Sequence, residues 1–131
     1  MISTSFGKFA AQWDAVATED TKMKLPTVSV VFSLLGTTKK KIIYEIACGN
    51  GFFARTLVEK GAKEVWASDI APELIDIAKT KYPPEGISYL VREGSDFSGI
   101  PKSYFDAVIL ENLSLAFISI KGYTCSFHGN Y

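Results

Sequence analysis

The chain has 131 residues, 47% of them hydrophobic and 21% charged, with 14 basic against 14 acidic side chains and a formal net charge of zero. The length fits one modest domain, and the charge balance carries no electrostatic footprint for nucleic acid. Two cysteines, Cys48 and Cys125, are too few for a disulfide framework or a zinc site, so no metal is expected. The longest nearly apolar run, Val28 to Leu35, falls far short of the ~20 residues a membrane span needs. The opening MISTSFGKF has no apolar signal core, and a cytoplasmic location without membrane association is expected.

In chain order, residues 1–24 are polar with scattered aromatics (Phe6, Phe9, Trp13) and read as a short amphipathic helix or lid. Pro26 suits the first turn of a helix that runs through Leu35, and Gly36 is placed to end it. Lys39-Lys40-Lys41 reads as a solvated loop. KIIYEIA, Lys41 to Ala47, is rich in strand formers and predicts a buried strand. A helix is expected from Gly51 to Lys60, and a second strand over Glu64–Ser68, ending at Asp69. Pro72 opens a helix with apolar residues Leu74, Ile75 and Ala78 at helical spacing, broken by Pro83-Pro84 and Gly86. Ile87–Val91 predicts a third strand, residues 94–103 a loop or short helix, and Phe105–Leu110 a fourth strand. Strands alternating with helices argue for an open α/β fold of Rossmann type, a mainly parallel sheet with helices on both faces. Such folds bind ligands beyond the carboxyl ends of the strands, where strand order reverses. The first strand and its glycine loop mark that point.

Gly49-Asn50-Gly51-Phe52-Phe53-Ala54 fits the dinucleotide pattern G-x-G-x-x-G/A, and Asp69 lies where that pattern places an acid for ribose hydroxyls. One reading is therefore half of a nicotinamide- or flavin-binding site; a bare strand-to-helix turn is another. Glu45 bears on the choice. A pyrophosphate would bring further negative charge beside that carboxylate, and like charges within ~4–6 Å resist sharing a site. A nucleoside with a cationic tail would be attracted instead.

EIACGNG resembles motif I of the class I S-adenosylmethionine-dependent methyltransferases, with Glu45, Gly49 and Gly51 in register and Ala47 in place of the motif's first glycine. That replacement is tolerable if the backbone need not take a positive φ. The resemblance implies S-adenosyl-L-methionine as cofactor. It gives Asp69 the two ribose hydroxyls, by charge-assisted bonds, with a helix N-cap as the competing role. It packs Ile70 on the adenine. It places Asp96 at the adenine amino group with Phe97 against the ring, a turn role for Asp96 being the alternative. YFDAVILEN resembles the family's fourth strand, which would face Glu111 and Asn112 to the reaction centre; Glu111 is the one catalytic candidate.

In-line methyl transfer needs chiefly proximity and orientation, with a general base only where the nucleophile must lose a proton. The sequence therefore does not reveal the acceptor; a small molecule or a protein side chain is expected. Glu111-Asn112-Leu113-Ser114 lacks the prolines of enzymes that methylate base amino groups, and Cys125 follows Thr124 rather than a proline. His128 reads as an exposed tail residue. The resemblance spans roughly residues 38–112. This organises the chain as an N-terminal helical or lid segment (1–37), a cofactor-binding domain (38–112) and an atypical tail (113–131). The tail matches no motif of the family, whose sheet has seven strands, so the later part of the sheet is missing or altered. A truncated product of reduced or no activity is one account. Strands over Leu113–Ile120 and Tyr123–Phe127 that cover the edge beside the fourth strand are another; left open, that edge would permit self-association. An oxidoreductase fragment binding NAD(P) or FAD, and a non-catalytic cofactor-binding or dimerisation module, remain the alternative functions.

Overall fold

The computed structural model describes residues 9–19, 29–82, 85–101, 103–111, 115–120 and 123–128; the side chains of 13, 16–19 and 111 onward lie outside the description. Ile42–Ile46, five strand formers in a row, becomes β1, with all but its first side chain buried. Burial on both faces suits a strand in the middle of a sheet. Before it come helices α1 (Ala10–Glu19) and α2 (residues 29–35); the expected start of α2 at Pro26 lies outside the described residues. Gly36, at φ 69°, ends α2, and its N–H donates to the Phe32 carbonyl at 3.1 Å.

The order continues as α3 (Phe52–Glu59), β2 (Glu64–Asp69), α4 (Pro72–Lys81), β3 (Ile87–Val91), β4 (Ala107–Glu111), β5 (Leu115–Ile120) and β6 (Tyr123–His128). Pro72 takes the first helical position of α4, where its missing N–H is no loss. β4 begins two residues later than its pattern predicts. The Asp106 carboxylate takes the Ile42 N–H at 2.8 Å and the Asp106 N–H donates to the Ile42 carbonyl at 2.7 Å, so this residue ties the incoming loop to β1. Residues 94–101 form loop and turns, not a helix.

The six strands lie in the order β3-β2-β1-β4-β5-β6. β1 to β4 are mutually parallel, with Ile43 opposite Val65 in β2 and Ala107 in β4. β5 and β6 are added antiparallel, Leu110 opposite Phe117 and Leu115 opposite His128. The expected open, mainly parallel sheet is present, and part of the 113–131 segment extends it. The edge beside β4 is thus paired within the chain. His128, expected in a tail, ends a strand.

Chain order steps outward from β1 to β3 and then returns to the other side of β1 at β4. The reversal falls between β1 and β4, and the carboxyl end of β1 opens onto it. Ile43, Val65, Ala67, Tyr89, Ala107 and Ile109 form one buried cluster with Val31 and Leu35 of α2, Phe53, Ala54 and Leu57 of α3, and Ile75 and Ala78 of α4. The opposite face carries Tyr44 and Trp66. There Phe105 packs against both, ring centroids 5.2 and 5.3 Å away, and Phe97, Ile100, Pro101, Ser103 and Phe105 shape a cavity of about 250 Å³ with Tyr44 and Val108. Among the described residues, no helix is long and apolar enough to cross a membrane.

Candidate functional site

The chain leaves β1 through a tight turn. The Cys48 N–H donates to the Ser68 carbonyl at 2.8 Å and the Gly51 N–H to the Cys48 carbonyl at 3.0 Å. Ala47, Gly49 and Gly51 all take left-handed backbone, at φ 60°, 57° and 81°. Ala47 therefore does take the positive φ that its motif position reserves for glycine, so the condition for a strain-free replacement is not met. Its Cβ sits in a region disfavoured by about 1–2 kcal/mol for an L-residue. Gly51 is constrained twice. Beyond its φ, a Cβ there would lie 2.1 Å from the Tyr89 hydroxyl oxygen, far inside contact distance. Tyr89 is buried, and among the described residues its hydroxyl makes no hydrogen bond of standard geometry. Burial pushes its phenol up to about 12 despite the pull of the nearby Arg55 guanidinium, so it stays neutral.

Two carboxylates flank this turn. Asp69, at the end of β2, accepts the Gly49 N–H on Oδ2 and the Ala71 N–H on Oδ1, both at 2.9 Å. It is not the N-cap of α4, which is Ala71; it fixes the turn into that helix and clamps the glycine loop at the same time. Each of its oxygens keeps acceptor capacity for a further donor. Glu45 is only 2% exposed and stands on the helix-covered face of β1, opposite Ala67 and Ile109. Both charges reach Cys48: burial first, then Glu45 and Asp69, raise its thiol well above the ordinary range. Cys48 is therefore a protonated thiol and no nucleophile.

Ile70 is half-buried directly after Asp69. Asp96 is exposed, and its Oδ1 accepts the Ser98 N–H at 3.0 Å and the Ser98 hydroxyl at 2.5 Å, the turn role that competed with adenine contact. Those bonds hold its carboxyl below the usual range. Phe97 is 51% exposed and lines the cavity on the Tyr44 face, its ring centroid 6.5 Å from that of Tyr44. Glu111 closes β4 with its side chain outside the description, and Asn112 lies outside the described residues. No group of three or more metal-ligating side chains occurs among the described residues.

Sequence reading passed over Asp14, Asn50 and Arg55. Asn50, between the two glycines, is 2% exposed and donates through Nδ2 to Asp14 Oδ1 of α1 at 2.8 Å. The Arg55 guanidinium donates to the Asn50 carbonyl at 2.6 Å and lies over the Tyr82 ring, 3.7 Å from its centroid. In the sequence Asn50 is only the variable position of a glycine pattern. Asp14 carried no signal beyond being the first acid of the chain.

A glycine loop at the reversal point of an open parallel sheet, with an acid at the end of the second strand, defines a nucleotide-binding α/β domain. A family model described as "Methyltransferase domain" matches residues 43–126, and the chain belongs to that family. Among solved structures it is similar to an S-adenosylmethionine-dependent methyltransferase from Mesorhizobium loti, at 26% identity and a TM-score of 0.53, over 66% of this chain and 38% of that one. A methyltransferase of Methanococcus maripaludis shares the fold at 16% identity and a TM-score of 0.70, over 84% of this chain and 52% of that one. Magnesium protoporphyrin IX methyltransferase from Synechocystis, solved with bound SAH, matches at 22% identity and a TM-score of 0.53, over 67% of this chain and 42% of that one. This chain thus spans about half or less of the length of these three structures. The comparison with curated proteins returned no match.

Proposed function

We propose that the chain binds S-adenosyl-L-methionine at the glycine loop and serves methyl transfer to a small molecule or a protein side chain. The observation that carries the reading is electrostatic: the charges of Glu45 and Asp69 both converge on the loop at Cys48. Such a field opposes a pyrophosphate and favours a ligand with an ammonium and a sulfonium. Arg55, whose positive charge also reaches Cys48, is held by the Asn50 carbonyl and the Tyr82 ring. The donor set fits the group: Asp69 presents acceptor lone pairs to ribose hydroxyls, Ile70 offers an apolar side chain to the adenine, and Glu45 supplies the charge that a cationic tail neutralises. When bound, the cofactor would supply an electrophilic methyl on a neutral leaving group. The protein's part is then to hold and orient, with Gly49 and Gly51 letting the backbone come close. Asp96 and Phe97, on the exposed 94–101 loop, are the residues this reading gives to the adenine amino group and ring.

Family membership and the names of the similar structures support the same reading. Isothermal titration with S-adenosylmethionine, S-adenosylhomocysteine and NAD tests it. Glu45→Gln is expected to weaken S-adenosylmethionine binding about tenfold, the order expected for a charged contact. Lys41→Ala is expected to leave it unchanged, since the Lys41 ammonium donates to the Leu35 carbonyl. NAD binding tighter than S-adenosylmethionine would overturn the proposal.

A further inference from the structure

Asp14 belongs to α1, 36 residues before Asn50, yet it is 4% exposed. Its Oδ1 accepts from Asn50 Nδ2 at 2.8 Å and from the Tyr82 hydroxyl at 3.2 Å, and its Oδ2 pairs with the Lys81 ammonium at 2.5 Å. Asn50 in turn accepts the Phe52 N–H on Oδ1 at 3.2 Å, at the entry to α3. With the Arg55 guanidinium on the Asn50 carbonyl and over the Tyr82 ring, the contacts close into a circuit. It runs from α1 to the glycine loop, to α3, to the end of α4, and back to α1. Among the described side chains, the apolar contact of α1 is Ala10 against Ala71 and Leu74.

A buried carboxylate is expensive unless its lone pairs are satisfied. Here the loop supplies one of the donors that satisfy it. Asn50 is equally committed: with no acceptor for Nδ2 its amide must turn toward water, and turning it breaks the bond that fixes Phe52. We propose that Asp14 is a positioning residue, a latch that seats α1 on the glycine loop and holds Asn50 in the orientation the loop needs to receive the cofactor. Resting on the cofactor reading above, this makes docking of α1 and cofactor binding two sides of one coupling. By linkage, each then strengthens the other by the same factor.

The test uses the whole chain, with S-adenosylhomocysteine as probe. Calorimetric affinity of Asp14→Ala, Asn50→Ala and the double variant forms a cycle. Each single change is expected to weaken binding about tenfold, within the usual range of such couplings, and the double change no more than either single one. Asp14→Glu, which keeps the charge, is expected to recover part of the loss. Hydrogen exchange separates positioning from mere stability. In the unaltered chain, ligand slows exchange in both the glycine loop and residues 10–19; in Asp14→Ala it slows exchange in the loop alone. Without ligand, Asn50→Ala is expected to speed exchange in residues 10–19. Additive losses, or exchange in α1 that ignores both Asn50→Ala and ligand, would overturn the latch while leaving the cofactor assignment standing. Failure of the unaltered chain to bind the probe would overturn the assignment and the coupling together, whereas the ligand-free exchange would still report on the Asp14–Asn50 contact.

Discussion

Ala47 puts a Cβ where left-handed backbone penalises it, at φ 60°. The penalty is about 1–2 kcal/mol, against the ~0.5–1 kcal/mol of extra chain entropy a glycine loses on folding. The balance predicts that Ala47→Gly stabilises the protein by about 0.5–1 kcal/mol, read as a higher urea midpoint at unchanged slope. An unchanged or lower midpoint would show that neighbouring contacts hold the methyl group favourably. Gly51 makes the opposite case. Its φ of 81° and the Tyr89 hydroxyl 2.1 Å from an added Cβ predict that Gly51→Ala destabilises by about 2–4 kcal/mol. Part of that is steric, so Tyr89→Phe should recover some of it in the double variant. The ring carbon that bears the hydroxyl, 2.9 Å from the added Cβ, keeps the recovery incomplete. Strict additivity of the two changes in a double-mutant cycle would refute the clash.

Between elements, the telling contact is the one from α1 to the end of α4. Burial alone would raise the Asp14 carboxyl, but hydrogen bonds from Lys81, Asn50 and Tyr82 and the charge of Lys81 outweigh it, and the net shift is downward. A depressed folded-state value means stability that is fully present above the ordinary carboxylate range, about 4, and lost as pH falls through the folded value. Lys81 shifts upward through its bond to Asp14, so its share is present below the ordinary lysine range and is lost as pH rises through the folded value. Melting temperatures followed from pH 6 to pH 3 are therefore expected to fall more steeply in the unaltered protein than in Asp14→Asn. Parallel curves would show that the pair does nothing for stability. The α1 helix was legible in residues 1–24 as a short helix or lid. The destination of Asp14 was not, because a hydrogen bond across 36 residues leaves no periodic trace in a sequence. The strain at Ala47 escapes the sequence for a related reason: the substitution shows in the motif, but the φ it must adopt shows only in the folded turn.

Across the whole molecule, β1 to β4 were legible because each is a short apolar run closed off by glycine, proline or an acid, and helices between strands force parallel pairing. The glycine loop and Asp69 were legible for the same reason, being fixed to strand ends. Asp96 and Phe97 depend on an exposed loop, whose local turn bonds decide where they point. The segment after Glu111 matched no expected motif, since an antiparallel hairpin replaces the helical crossover that would have announced another parallel strand. That substitution moves the edge of the sheet. β4, whose Ala107 and Ile109 are buried, is paired on both sides, and β6 now stands last in the order. Its sequence, YTCSFH, holds no lysine, acid or proline, the residues that usually keep an edge strand from pairing with another copy. Self-association is therefore expected at β6, by edge-to-edge pairing between two copies, and not at β4. Sedimentation over a dilution series should show reversible, concentration-dependent association in the unaltered protein. Thr124→Lys together with Ser126→Lys should shift it to monomer, because like charges brought opposite each other across a new ladder repel. A single monomeric species throughout the series, or association that survives both lysines, would rule out β6 as the contact.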